Sequence, residues 1–505
     1  MTLPPHDPPD PLPPLTGCID RANRPTLTNQ RHSRPSNPPA RDLKAVMRIL
    51  HFCHNDPRLH PGGTEVFSKN LHDYYWQEKG HDSYYVAATF DYHRPRPPGT
   101  LFQTYDRESR CFLLWTTGPN MREMLQDDIY AMATQLPELL NHIAPQIIHL
   151  HHLLFFGADI LAIIKRYCPD AKIVVSLHDF NNICVNDGVM TTPEGKLCDK
   201  ALPQKCHKCV PSLEPAVIKR RELTLKAHLS LADQFLSPSA FLRQRFIDWG
   251  LPAEKIAVMR NGVPTDSIHP AESARPTVPP RPDSPARPHN RFGVFGNVSE
   301  MKGTLVALAA AQSLIDDGMD FRMEIHGDTF FRTPEFVKSF QNALKKVRPR
   351  VRHLGAYERR EVGQRMAGVD WVVVPSVWWE NAPLVIEEAF QNGRPVICSN
   401  IGGMAESVTD EKDGLHFPVG QASALAQTLR RALEEQGLWD RLNKGIGAVR
   451  SLADAAEDHL SLYQNLLTGK APPAAMQARQ KQAGKPVNGK TKPSTGGKRA
   501  PATAG

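Results

Sequence analysis

A chain of 505 residues exceeds what one hydrophobic core organises, and 40% hydrophobic content supports a globular body, so two domains with tails are expected. The formal net charge of +8 resides at the ends: residues 469–505 carry eight basic and no acidic side chains, residues 1–44 carry six basic and four acidic, and the body keeps −2. With no nucleic-acid module and no aromatics interleaved among the tail's charges, a specific nucleic-acid binder is excluded. The lack of a charged start with an apolar run, and of any uncharged apolar stretch of about 18 residues, points to a cytoplasmic protein with mostly reduced cysteines.

Residues 1–44 hold eleven prolines and no apolar periodicity, and read as a disordered leader. Met47 opens directly onto the first strand pattern, which raises a start of translation there. Strands are expected at 46–54, 81–89, 146–152, 171–179, 233–239 and 255–263, with helices at 64–79, 120–143, 158–167, 216–231 and 239–249. This alternation predicts a parallel, doubly wound sheet spanning 45–264, interrupted by a cysteine-bearing insertion at 181–214. Seven prolines between His269 and Asn290 mark a linker over 265–290. From 291 to 468 the alternation resumes: strands RFGVFGN, FRMEIHGD, VRHLG, DWVVVPS and RPVICSN, with helices from Gly303 and at 333–347 and 358–367, then closing helices. Residues 469–505 read as a disordered basic tail. The fold class is therefore α/β, two Rossmann-like domains facing across a cleft, where ligands sit at the carboxyl ends of the strands.

The stretch WWENAPLVIEEAF, Trp378 to Phe390, sets three carboxylates among apolar residues. Pro383 suits a first helical position, Asn381 a cap, and Asn392-Gly393 a helix end. Glu380 then precedes the helix and Glu388 lies within it, while the unpaired amides near Ala382 to Val385 form a phosphate site at the positive end of the dipole. A rise of about 1.5 Å per residue separates the two carboxylates by roughly 10 Å or more, outside the window of a glycosidase acid/base pair.

Other residues stand out along the chain. His149, His151 and His152 in IIHLHHLL alternate faces of a strand and lack a ligand-spaced partner, so they read as strand and cleft residues. Cys184, Cys198, Cys206 and Cys209 close on CHKC, which has zinc-ligand spacing; a structural zinc, reduced thiols and a disulfide are the readings. Lys219, Arg220, Arg221, Lys226, Arg243 and Arg245 suit either a solvated helix face or a peripheral contact with an anionic membrane or lipid-linked acceptor.

Glu380 and Glu388, with seven residues between them, together with FGNVSEMKG, HPGGTE, the strand-end His178 and NIGGMAE, resemble the ordered motifs of the family 4 retaining glycosyltransferases (glycosyl transferase group 1). The resemblance covers about residues 46–468 and implies the GT-B fold, transfer of a sugar from a nucleoside diphosphate sugar to a glycan or lipid-linked acceptor, no catalytic metal, and a place in polysaccharide or glycoconjugate biosynthesis. It assigns Glu380 to hydroxyls of the donor sugar, Glu388 to the ribose, the amides of Leu384 and Val385 to the diphosphate, and Lys302 to the leaving group. Gly62 and Gly63 form its donor and acceptor loop, His178 contacts the sugar, and Gly402-Gly403 with Glu406 form a second glycine turn. Asn297 stands where the family often has Arg, leaving one cation fewer, and Glu387 is expected to be mute. A nucleotide-sugar epimerase of the same fold, or a sugar-nucleotide-binding or membrane-associated protein without turnover, are the alternatives.

Overall fold

The computed structural model describes residues 46–470 apart from 61, 90–99, 107, 117–119, 121, 265–288 and 331. The proline-rich leader, most of the expected linker and the tail beyond 470 lie outside the described residues. From Val46 onward the chain clusters as one compact unit.

Eight strands form the first sheet: β1 (Arg48–Cys53), β2 (Asp82–Thr89), β3 (Phe102–Thr104), β4 (Cys111–Trp115), β5 (Ile147–Leu150), β6 (Lys172–Ser176), β7 (Gln234–Ser237) and β8 (Ile256–Val258). Their order is β3-β4-β2-β1-β5-β6-β7-β8, parallel except for the β3–β4 pair. The helices are α1 (Gly63–Asp73), α2 (Ile129–Ile143), α3 (Ile160–Tyr167), α4 (Pro203–Cys209), α5 (Pro215–Leu229) and α6 (Ala240–Trp249). Central strands such as Ile147–Leu150 are buried throughout, because helices cover both faces of a parallel sheet.

The second sheet contains β9 (Arg291–Phe295), β10 (Arg322–His326), β11 (Val351–Gly355), β12 (Trp371–Val374), β13 (Val396–Ser399) and β14 (Gly414–Phe417), in the order β11-β10-β9-β12-β13-β14 and wholly parallel. Between and after its strands run α7 (Thr304–Asp316), α8 (Pro334–Val347), α9 (Val362–Ala367), α10 (Leu384–Gln391), α11 (Gly402–Ser407), α12 (Ala422–Glu434), α13 (Leu438–Gly445) and α14 (Leu452–Thr468). Chain order reverses between β9 and β12 here and between β1 and β5 in the first sheet, which marks the ligand-binding crevices at their carboxyl ends.

Three expectations need revision. Strands β3 and β4 fall outside the expected strands, because β4 follows β3 as its antiparallel partner with no helix between them, which departs from the strand–helix alternation. The helix expected over 120–143 begins only at Ile129; before it, Asn120 and Leu125 form an isolated bridge. Finally, α14, expected with the C-terminal domain, buries Ala455, Ala456, Leu460, Leu462 and Tyr463 against Ile49, Phe67, Tyr75, Ile147 and Val174 of the first. Each fully buried leucine there contributes about 1.5–3 kcal/mol, so the helix is a strong tie to the N-terminal sheet.

Candidate active site

The loops leaving β9 and β12 meet at the switch point of the second sheet. Gly303 is left-handed (φ 65°), and a Cβ on it would stand 1.9 Å from the Pro375 carbonyl oxygen, so the two loops interlock only with glycine there. The Val377 amide donates to Met301 O at 2.9 Å, fixing the same contact. This places Lys302 Nζ 2.6 Å from Glu380 Oε1, which also accepts from Ser376 Oγ and Trp378 Nε1, each at 2.8 Å. Glu380 is 7% exposed. Burial pushes its carboxyl up, but the Lys302 ammonium and the three donors outweigh that and hold it below the usual carboxylate range. The result is a buried, ionised carboxylate whose donors all converge on one oxygen.

Helix α10 starts one residue later than expected. Pro383 occupies the cap position rather than the first turn, and Asn381 does not cap: its Nδ2 donates 2.7 Å to His178 O across the cleft. Leu384 and Val385 form the first turn, where amides lack intrahelical acceptors. Glu388 is buried and lies 3.4 Å from the Arg359 guanidinium; burial pushes its carboxyl up and Arg359 opposes the shift. Glu387 is half-buried and raised by burial, without an ion pair among the described residues. Asn297 is exposed on the β9 loop.

From the N-terminal side, Gly62 caps α1 and Gly63 begins it. A Cβ on Gly63 would lie 3.3 Å from Leu384 Cδ1, so the glycine loop abuts the first residue of α10. Behind the loop, Glu65 pairs with His54 at 3.1 Å and accepts from Asn55. Burial raises the Glu65 carboxyl, but His54 and Asn55 bring it down to about 2. His178 follows β6 by two residues; burial, then the charge of His152, lowers it to about 3, leaving a neutral ring whose Nε2 has no hydrogen-bond partner among the described residues. His152 itself bonds Asp179 at 2.5 Å, and its pKa is raised because that carboxylate outweighs burial.

The second glycine turn serves the first carboxylate through the backbone. The Gly403 amide donates 2.7 Å to Glu380 O, and a Cβ on Gly403 would meet Asn381 O at 1.8 Å. Glu406 accepts from the amides of Ala240 and Phe241, both at 2.9 Å, and so caps α6 of the opposite domain.

The structure therefore joins Lys302 to Glu380, Gly403 to Glu380, Gly63 to Leu384, and His178 to Asn381. It leaves Asn297 apart. The basic set, read as either a solvated helix face or a peripheral membrane contact, does not form one exposed face: Arg221 is buried and donates to the carbonyls of Arg122, Asn181 and Asn182, while Arg243 donates to Ile256 O and Ala253 O. Arg245 lies over the rings of Phe241 and Trp379. Among the described residues no helix is long and apolar enough to cross a membrane. Cys184, Cys198, Cys206 and Cys209 form no disulfide; burial, with Cys184, Cys198 and Cys209 adding, pushes Cys206 up to about 11. The insertion that carries them reaches the site, since Trp379 Nε1 donates to Cys198 O at 3.1 Å.

Sequence reasoning missed Ser376, Trp378 and Arg359. The first two lie four and two residues before Glu380, and their donor groups were a readable signal; Arg359 arrives from the loop after β11, which no local pattern connects to Glu388.

Residues 61–267 match the family model described as Glycosyltransferase Family 4, and residues 289–435 the one described as Glycosyl transferases group 1. A putative colanic acid biosynthesis glycosyltransferase, WcaL of Escherichia coli, is 31% identical over 206 residues, covering 39% of this chain and 47% of that protein. The matched stretches span only 36% to 47% of the length of three curated relatives, this one included. Among solved structures, sucrose-phosphate synthase from Thermosynechococcus elongatus superposes with a TM-score of 0.62 at 17% identity, covering 84% of this chain and 99% of that one. The Anabaena protein Alr3699/HepE, in complex with UDP and glucose, gives 0.56 at 17% identity, covering 83% and 99%. At such identities these structures show the shared fold.

Proposed function

The chain belongs to the group 1 glycosyltransferases, and on that premise we propose that it moves a sugar from a nucleoside diphosphate sugar to an acceptor hydroxyl with retention at the anomeric carbon. The observation that carries this reading is the Lys302–Glu380 pair at the β9/β12 switch point, with Glu380 four residues before the first residue of α10. In this reading the diphosphate lies against the amides of Leu384 and Val385, Glu388 takes the ribose hydroxyls, and Glu380 takes hydroxyls of the sugar. In the same reading Lys302 faces the bridging diphosphate oxygen.

The bond from the anomeric carbon to that oxygen breaks, and its electron pair leaves on the nucleoside diphosphate. The acceptor oxygen forms the new bond on the same face, and its proton passes to the departing phosphate. Lys302 and the helix-end amides stabilise the negative charge as it develops, and the apposed domains hold donor and acceptor together. His178, kept neutral, presents a ring that hydrogen-bonds a sugar hydroxyl without adding charge. The acceptor in this reading is a glycan or a lipid-linked acceptor.

A panel of nucleotide sugars, assayed for release of nucleoside diphosphate and for the anomeric configuration of the product by NMR, tests the proposal. One donor consumed with retention supports it. Inversion, or conversion of the free donor sugar without transfer, removes it.

A further inference from the structure

His51 on β1 is the register partner of His149 on β5, and His151 follows one residue beyond that strand. Read along one strand, His149 and His151 lacked a ligand-spaced partner; the neighbouring strand supplies it. One ring nitrogen from each of His51, His149 and His151 lies within 4.8 Å of the other two, and among the described residues no other set of three histidine, cysteine or acidic side chains does so. All three are fully buried.

The hydrogen-bond inventory of this cluster does not close. His51 Nδ1 and His151 Nε2 share one contact at 3.1 Å, while His51 Nε2 and His151 Nδ1 have no partner among the described residues. In either tautomer pair that makes this contact, one bare lone pair and one idle N–H remain in the buried core, at a cost of about 1–3 kcal/mol for each unmet group. His149 differs, because hydroxyls hold both its nitrogens: Tyr463 at 2.6 Å on Nδ1 and Ser176 at 2.8 Å on Nε2. With Nε2 turned to an ion in place of Ser176, the Tyr463 hydroxyl on Nδ1 still orients the ring, as ligand-supporting groups do in metal sites.

The geometry points to a structural transition-metal site at His51, His149 and His151. Three imidazoles without a carboxylate disfavour magnesium and calcium, which take oxygen ligands, and suit zinc, with water or hydroxide completing four-coordination and lowering the buried charge. The site lies behind His178, whose ring stacks on His151 at 6.0 Å, so an ion there would stiffen the floor of the cleft.

The test is metal content and cobalt substitution on the full chain. Purified protein grown with zinc is expected to carry it stoichiometrically, and chelator-treated protein to regain thermal stability on adding zinc. Cobalt should give the visible spectrum of nitrogen and oxygen ligation without a thiolate charge-transfer band. Tyr463→Phe, which keeps the ring and removes the hydroxyl that orients His149, should weaken zinc binding about 10- to 100-fold. His51→Phe should abolish it, and Cys206→Ser/Cys209→Ser should leave it unchanged. Wild-type protein that neither holds nor regains zinc overturns the proposal even if the variants fail to fold. So does a thiolate band that disappears in the double cysteine variant.

Discussion

Replacing Lys302 with Met removes the charged donor on Glu380 and keeps most of the side-chain volume. A hydrogen bond to a charged group is worth about 1.5–3 kcal/mol. Lys302 is 35% exposed while Glu380 is 8% exposed at its side chain, so solvent screens one end of the pair and discounts that range to about 1–2 kcal/mol as the expected loss of stability. The kinetic effect is larger. The same ammonium faces charge that develops only in the transition state, where loss of one preorganised donor costs about 2.7–4 kcal/mol, or 100- to 1,000-fold in kcat.

The pH dependence follows from the sign of the shift. Glu380 is depressed below its ordinary 4.5, so its pairing stabilises the fold above that value and is lost as pH falls through the lowered one. Without Lys302 the upward push of burial loses its largest opponent, and the acid limb of kcat/KM moves to higher pH. The assay is release of nucleoside diphosphate from pH 4 to 8, with thermal melts alongside. A Lys302→Met enzyme with wild-type kcat and an unmoved acid limb would refute the reasoning.

Other perturbations separate the parts of the site. Glu388→Gln should raise KM for the donor about tenfold, a loss near 1.4 kcal/mol, with little change in kcat; calorimetry with the nucleoside diphosphate alone reads the same loss directly. Gly403→Ala drives a methyl into Asn381 O and should cost about 1–3 kcal/mol in thermal unfolding, with activity falling further because Glu380 shifts with its loop. Glu406→Ala removes the cap on α6 from the opposite domain and should cost about 0.5–2 kcal/mol, seen as faster proteolysis between the domains. His152 is raised by Asp179, so its contribution is complete below 6.5 and is lost as pH climbs through the raised value; Asp179→Asn should flatten stability across that range.

The two sheets were legible because their strands are short buried runs separated by helical periods, a pattern that local sequence carries. β4 was not, since CFLLW sits between segments without helical periodicity. Helix α14 was legible as a helix, but its partner was not: the choice between two domains depends on which apolar face it meets, and Leu460 and Tyr463 do not encode that locally. The site shows the same division. Glu380, Glu388 and Lys302 could be found from ordered motifs, whereas the cap role of Asn381 failed because a cross-cleft carbonyl, that of His178, competes for its amide. His51 was invisible as a neighbour of His149 until strand register placed it there.

The division of labour between the two glutamates tests the account most directly. Nucleoside diphosphate binding and donor turnover should be measured side by side for wild type, Glu380→Ala and Glu388→Gln. With Glu380 at the sugar and Glu388 at the ribose, Glu380→Ala should bind the nucleoside diphosphate like wild type and lose turnover, while Glu388→Gln should bind it more weakly and keep most of its kcat. Full turnover by Glu380→Ala, or equal binding losses in both variants, would contradict the assignment.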